Sequence, residues 1–304
     1  MPRRRSFALL VLVLAIVGCG SATSVPAGSA TVQTTPRTEG PLALTLPNKD
    51  GSMKFAILGD WGTGSRQQYE TADRMKAVHD LFKFNIVLTV GDNLYGSDRP
   101  QDYKRKFETP YKPLLDAGVK FYASLGNHDA REQASYKLFN MDGKRYYNFK
   151  APQQDVRFFM LESDYMNPEQ LAWIEKELNG AKENWKLAAF HHPPYSSAGR
   201  HGSDRRLREV LEPLFVKYNV SVVFNGHDHA YERIKPQQGI VYFVTGAGGQ
   251  LRRGDLDDRS TITAKGFDTD YSFMVAEIDG DEMHFNTVSR VGEIVDSGVI
   301  TRRK

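Results

Sequence analysis

Cysteine is all but absent: the 304 residues contain one, Cys19. No disulfide framework can form from it, and no cysteine-built zinc site either. Any metal chemistry must therefore run on His, Asp, Asn and Tyr. An excess of one charge is missing too. Lys and Arg number 40 against 37 Asp and Glu, and the surplus is matched by Arg3, Arg4 and Arg5 in a leader without acidic residues. The remainder carries 37 of each sign, which leaves no broad positive field for nonspecific nucleic-acid binding. A comfortable transmembrane helix needs about 20 apolar residues, and the leading apolar run, Phe7 to Val17, is far shorter. No repeat of fixed period is visible. What is present is ordinary globular composition, 25% charged and 11% aromatic, in a chain long enough for a sizeable core.

The basic start Met1 to Ser6 followed by Phe7 to Val17 reads as a secretory signal. The string Ala15-Ile16-Val17-Gly18-Cys19 resembles the lipobox of bacterial lipoproteins, in which the cysteine is lipidated and becomes the first mature residue. A signal cut elsewhere, or an uncleaved anchor, would leave Cys19 unused. The expected organisation is a lipoprotein signal peptide over 1–18, a Ser/Thr/Pro/Gly-rich tether over 19–52 and a globular domain over 53–304. Such a protein is exported and held to a membrane on its extracytoplasmic side.

Within the domain, apolar runs at Met53–Leu58, Asn85–Val90, Val119–Leu125, Val156–Leu161, Trp185–Phe190 and Val220–Phe224 read as strands. Helical spacing is expected over 67–83, 101–117, Pro168–Leu178 and Ser203–Tyr218. That alternation argues for parallel βαβ units with right-handed crossovers. The tail reads as consecutive strands without helices, Gly239–Thr245, Ser272–Ile278, Met283–Val288 and Glu293–Ile300. The expected fold class is α/β, a four-layer α/β-β-α sandwich of two mixed sheets with helices outside.

Five polar clusters each follow an apolar strand: Gly59-Asp60-Trp61-Gly62, Gly91-Asp92-Asn93-Leu94-Tyr95, Gly126-Asn127-His128-Asp129, His191-His192-Pro193-Pro194 and Gly226-His227-Asp228-His229. In an α/β sheet, ligands bind in the crevice beyond the carboxyl ends of the strands. The intervals between clusters accommodate whole crossovers, so all five can stand on one rim. Alone, each is weak, since Gly-Asp at a strand end is commonly only a turn. The His-x-His of His227 and His229 is more telling. On an extended backbone both imidazoles would lie on one side and Asp228 on the other. Together the clusters supply carboxylate, amide, imidazole and phenol, the donors of a metal site.

In order, these blocks resemble the metallophosphoesterase (calcineurin-like) superfamily, and within it the purple acid phosphatases, whose blocks run GDxG, GDxxY, GNH(D/E), VxxH and GHxH. The short domain and the Trp of GDWG make it similar to the small, tartrate-resistant type. The similarity runs from about residue 53 through the Val244-Thr-Gly-Ala-Gly-Gly249 loop. Two departures stand out: Ala188 opens the fourth block, and His192 beside His191 leaves two candidates for one ligand. The spacing before Pro193 favours His191.

The resemblance implies two metal ions. Asp60, Tyr95 and His229 would hold Fe(III), and Asn127, His191 and His227 would hold Fe, Zn or Mn, with Asp92 bridging. The donor chemistry agrees, because phenolate and carboxylates suit a trivalent ion and imidazoles with an amide suit a divalent one. The family then implies hydrolysis of phosphomonoesters by a metal-bound hydroxide, an acid phosphatase reaction. His128 and His201 would face the substrate and supply the leaving-group proton; for His201 a solvated loop remains the alternative. His79 reads as structural. The expected partners are small phosphorylated substrates and, through the lipid, a membrane; nucleic acid is not expected, and the protein reads as a monomer. A phosphodiesterase or nucleotidase of the same superfamily is the first alternative, and a non-catalytic ligand-binding lipoprotein the second.

Overall fold

Strand and helix alternate through the first part of the domain, in the order β1 (Met53–Leu58), α1 (Arg66–Phe82), β2 (Ile86–Val90), α2 (Pro100–Tyr103), α3 (Lys112–Asp116), β3 (Lys120–Ser124), β4 (Tyr147–Lys150), β5 (Val156–Met160), α4 (Pro168–Gly180), β6 (Trp185–Ala189), α5 (Arg205–Lys217) and β7 (Val222–Asn225). Strands alone complete it: β8 (Tyr231–Ile234), β9 (Val241–Thr245), β10 (Thr263–Phe267), β11 (Ser272–Asp279), β12 (Glu282–Ser289) and β13 (Ile294–Thr301). The computed structural model describes residues 42–152 and 154–304. Cys19 and the signal sequence lie outside the described residues, as does the tether up to residue 41.

The long helices begin where short polar side chains cap them. Ser65 Oγ accepts from the Gln68 amide, Asn167 Oδ1 from Gln170 ahead of Pro168, and Asp204 Oδ1 from Arg206 and Leu207, each satisfying amides that the first turn leaves without partners. Among the described residues no helix is long and apolar enough to cross a membrane.

The strands form two mixed sheets, as expected. One has the order β13-β12-β11-β1-β2-β3 and the other β10-β8-β9-β7-β6-β5-β4. β1, β2 and β3 run parallel, as do β5, β6, β7 and β9. The sheets pack face to face through aromatics. Phe55 meets Phe158 at 5.3 Å and Phe224 at 6.1 Å between ring centroids, and Phe243 meets Phe285 at 5.1 Å. A second apolar cluster lies on the far side of the larger sheet, where Ile174 and Leu178 of α4 and Leu211 and Phe215 of α5 pack on Phe159, Ala188 and Val223. On the other side, Met75, Val78 and Phe82 of α1 join the main core. The layers therefore run helix, sheet, sheet, helix.

Three local readings change. The segment expected as one helix over 101–117 is broken: α2 passes into a wide turn closed by Thr109 N donating to Lys104 O at 2.8 Å, and α3 begins afresh. Pro110 and Pro113 lack the amide protons a continuous helix would use. Strands β4, β8 and β10 were not expected, being short and without an apolar run. Residues 42–52, read as tether on composition, lie along the domain. Leu42, Leu44 and Leu46 are partly buried against the core, and the amides of Asn48 and Lys49 both donate to the buried Glu277 carboxylate at 2.6 Å. The two-residue period of those leucines is the strand-like signal that Pro and Thr neighbours masked.

Candidate metal centre

Parallel strands place the polar clusters together. Asp60, Asp92 and Asn127 follow the carboxyl ends of β1, β2 and β3, while His191 and His227 follow β6 and β7. The two sheets meet at this edge so tightly that side chains are excluded between the blocks. A Cβ on Gly126 would lie 2.4 Å from Asp92 Oδ1, and one on Gly226 would lie 2.5 Å from Asp60 Oδ2. Those glycines are what lets the carboxylates sit against neighbouring backbone.

The donor atoms gather in two groups. In the first, Tyr95 Oη is 3.1 Å from Asp60 Oδ1 and 3.2 Å from His229 Nε2, and His229 Nε2 is 3.4 Å from Asp60 Oδ1. In the second, His191 Nε2 is 3.1 Å from Asn127 Oδ1 and 3.2 Å from His227 Nδ1. Asp92 belongs to both. Its Oδ1 is 3.4 Å from His191 Nε2, and Asp60, Asp92 and His229 offer ligand atoms all within 4.8 Å of one another. Every residue expected as a donor is in the cluster.

The hydrogen bonds show why these atoms fit a cation. His191 Nδ1 lies 2.9 Å from the Val90 carbonyl, which can only accept, so that nitrogen carries a proton. Nε2 then offers a lone pair toward Asn127 Oδ1 and Asp92 Oδ1, also acceptors. A donor must stand among them, either a proton on His227 Nδ1, 3.2 Å from His191 Nε2, or a positive charge. A proton on His191 is one such charge. Burial opposes it, but the Asp92 and Asp60 carboxylates outweigh burial and raise its pKa. Burial raises Asp60 well above the usual carboxylate range. It pushes the Tyr95 phenol up as well, with help from Asp60 and Asp92. Burial, with Arg252 nearby, pushes His229 down to about 4. His229 is thus neutral at physiological pH, its lone pair available.

The structure corrects the reading of His-x-His. Residues 226–230 are not extended: His227 has φ of 71°, and Asp228 N and Ala230 N donate two residues back, to Gly226 and Asp228. The turn aims His227 at His191 and His229 at Asp60 and Tyr95, so the pair serves both groups. His191 enters the cluster. His192 turns aside, with Nδ1 2.9 Å from Ser163 Oγ and Nε2 3.7 Å from Asp164 Oδ1. His128 and His201 are both exposed and flank the cluster from opposite ends. The His128 ring lies 5.0 Å from that of Tyr95, and the His201 ring 4.2 Å from that of His227. His79 packs on Phe84, away from the site.

Sequence reasoning missed the residues that hold this rim in place. Asp129 accepts the amides of Asn93, Leu94 and Gly126 at 2.9–3.0 Å, tying the second block to the third. Burial and the Asp92 charge push its carboxyl up to about 7. Buried Lys106 donates to the carbonyls of Tyr95 and Ser97 at 2.6 and 2.8 Å, with Asp102 Oδ1 at 3.3 Å. It stands in the segment read as plain helix, where nothing marked it. Ser163 and Asp164 follow β5 on the same rim, and their place after an apolar strand was the signal that could have found them.

A family model described as calcineurin-like phosphoesterase matches residues 53–231. The chain belongs to that family. Tartrate-resistant acid phosphatase type 5 of Oryctolagus cuniculus is 28% identical over 72% of this chain and 80% of that protein. A purple acid phosphatase from yellow lupin seeds superposes with a TM-score of 0.70 at 20% identity, covering 84% of this chain and 55% of that one. An anchor protein of the Plasmodium inner membrane complex superposes with a TM-score of 0.71 at 19% identity, covering 83% and 90%. The two solved structures, one a phosphatase and the other an anchor, share the fold alone. Family and homologues together make this chain a metallophosphoesterase, a hydrolase of phosphoesters, and imply two metal ions.

In this phosphoesterase, Lys106→Met strips the Tyr95 and Ser97 carbonyls of their donor and leaves the buried Asp102 carboxylate without that ammonium. It should lower the thermal midpoint by at least about 5 °C, followed by circular dichroism. An unchanged midpoint would show that the loop behind Tyr95 holds without the lysine.

Proposed function

We propose that the protein is a binuclear acid phosphatase acting on phosphomonoesters. The observation that carries this reading is the position of Asp92, one carboxylate between two groups of three further donors, Asp60, Tyr95 and His229 on one side and Asn127, His191 and His227 on the other. Asp60, Tyr95 and His229 would hold Fe(III), and Asn127, His191 and His227 would hold Fe, Zn or Mn, with Asp92 shared. When bound, the pair supplies Lewis acidity and generates the nucleophile.

The chain's own residues do the rest. The Val90 carbonyl fixes the His191 tautomer so that Nε2 faces the donors. The His128 amide donates to Asp92 Oδ1 at 2.9 Å and orients the shared carboxylate. His128 and His201, at opposite ends of the cluster, are placed to hold the phosphate and to give a proton to the departing oxygen. Burial, then Arg252 and Arg200, lowers the His201 pKa. Its donating form therefore prevails in acid, in keeping with an acid phosphatase. The lipobox-like string at Cys19 supports an exported, membrane-held protein working outside the cytoplasm.

Three outcomes test this. The iron-loaded domain should contain two metal ions and show a broad visible charge-transfer band that Tyr95→Phe bleaches; a colourless, fully iron-loaded and fully active protein refutes the Tyr95 assignment. His201→Ala and His128→Ala should slow alkyl phosphates by roughly 10²–10⁴-fold, with a clearly smaller loss on a nitrophenyl ester, whose leaving group departs unaided. Equal losses across leaving groups would mean that neither histidine donates a proton. Cys19→Ser should shift the protein from the detergent-released membrane fraction to the soluble or unprocessed fraction, and unchanged fractionation would sink the anchor.

A further inference from the structure

His201 is exposed, on the loop that joins β6 to α5, yet its ring stands 4.2 Å from that of His227. An exposed side chain keeps such a place only if its backbone is held. The loop is closed at its base, where the Ser196 amide donates to Ser203 Oγ at 2.9 Å and Ser203 Oγ donates to the Ser196 carbonyl at 3.0 Å. It turns sharply beside His201. Gly202 has φ of 72°, and a Cβ there would lie 2.9 Å from the Ala198 carbonyl oxygen. The stretch between is held by a segment 55 residues further along the chain. Gly199 N donates to the Asp255 carbonyl at 2.7 Å, Asp257 N donates to the Ser197 carbonyl at 3.2 Å, and Ala198 pairs antiparallel with Leu256.

Asp255 adds a side-chain bond to this short ladder. Its Oδ1 accepts the amide of Arg200, the residue before His201, at 3.1 Å. Its Oδ2 lies 3.6 Å from Arg252 Nη1, and the Arg252 amide donates to the His229 carbonyl at 2.9 Å. The Asp255 amide in turn donates to Asp268 Oδ2 at 3.0 Å, just past β10. A carboxylate only 11% exposed therefore links the turn of His229 to the amide beside His201. Two other carboxylates touch the loop. Glu232 Oε2 accepts Ser197 N at 2.9 Å, near the base, and Asp228 Oδ1 lies 3.4 Å from Gly202 N. Asp228 stands between two metal donors in the chain, so a change there would disturb them directly. Asp255 differs from both: it bonds the amide that leads into His201, and it is not next to a donor in sequence. Hydrogen bonds to an ionised acceptor are stronger than neutral ones.

We propose that Asp255 is a positioning residue, which by holding the Arg200 amide fixes His201 beside the donor cluster, at the departing oxygen of the substrate. The inference rests on the reading of His201 as the residue that serves that oxygen. It makes the loop a built part of the site.

Asp255→Ala deletes the acceptor and keeps the backbone ladder. It should lower kcat on an alkyl phosphate by roughly ten- to hundredfold, the scale of a small misplacement. KM should change little, and the loss on a nitrophenyl ester should be clearly smaller. Asp255→Asn, which still offers Oδ1, should restore most of the rate. Added to His201→Ala, Asp255→Ala should cost nothing further, whereas a general structural defect would add its own penalty. No loss in Asp255→Ala, equal losses on both esters, no rescue by asparagine, or a full further loss in the double variant overturns the assignment. Should His201→Ala itself spare the alkyl phosphate, the donor reading fails separately, and amide hydrogen exchange decides the positioning. Faster exchange over residues 199–201 in Asp255→Ala, but not in Asp255→Asn, sustains it; unchanged exchange removes it. If circular dichroism shows that Asp255→Ala does not fold, Asp255→Ser, too short to reach the Arg200 amide, takes its place in each comparison.

Discussion

Acceptor atoms crowded together in a buried place repel one another, and this rim crowds several of them. His191 Nε2, its partner nitrogen already committed to the Val90 carbonyl, faces the oxygens of Asn127 and Asp92 across 3.1 and 3.4 Å. Asp60 and Asp92 stand close enough for each charge to disfavour the other. Such an arrangement persists only where surrounding packing imposes it and a donor or a positive charge relieves it. The His227 ring, 3.2 Å from His191 Nε2, can offer a donor, and two cations would relieve the crowding more completely.

Much of the architecture serves to impose this crowding. Aromatic contacts from Phe55 and Phe243 clamp the two sheets face to face. The strand ends then meet at distances that only glycine permits at positions 126 and 226. Buried Trp61, directly after Asp60, packs at 5.1–6.5 Å on Tyr111, Phe107, Phe139 and Phe121 and fixes the first loop from behind. Asp129 and Lys106 bind the second loop to its neighbours through backbone groups. The reactive edge is thus held by residues that do not themselves face it.

Fold and function separate along the same line. A lupin phosphatase and a Plasmodium anchor protein both share this sandwich at nearly equal TM-scores. Layers and strand order are therefore common to proteins described by different roles. The argument for chemistry comes from the donor set at the strand ends, and it is the same donor set that the sequence blocks spell out.

Those blocks were legible because each is short and local: an apolar strand, a glycine, then a donor, which strand geometry delivers to one edge of the sheet. The fold class followed from the same alternation of strands and helices. What the chain order could not supply was direction. Adjacent in sequence, His191 and His192 point to different partners because the Val90 carbonyl captures one and Ser163 the other. The turn at His227, φ 71°, sends the two imidazoles of His-x-His to opposite groups where an extended strand would have kept them together. Lys106, Ser163 and Asp164 carried no motif, since their contacts depend on neighbours from other strands and loops. The sequence alone determined which candidate donors exist and in what order they leave the sheet, the first through the resemblance of the blocks and the second through local periodicity. Only the tertiary structure decided which atoms face one another, because that depends on backbone turns and on hydrogen bonds between segments far apart in the chain.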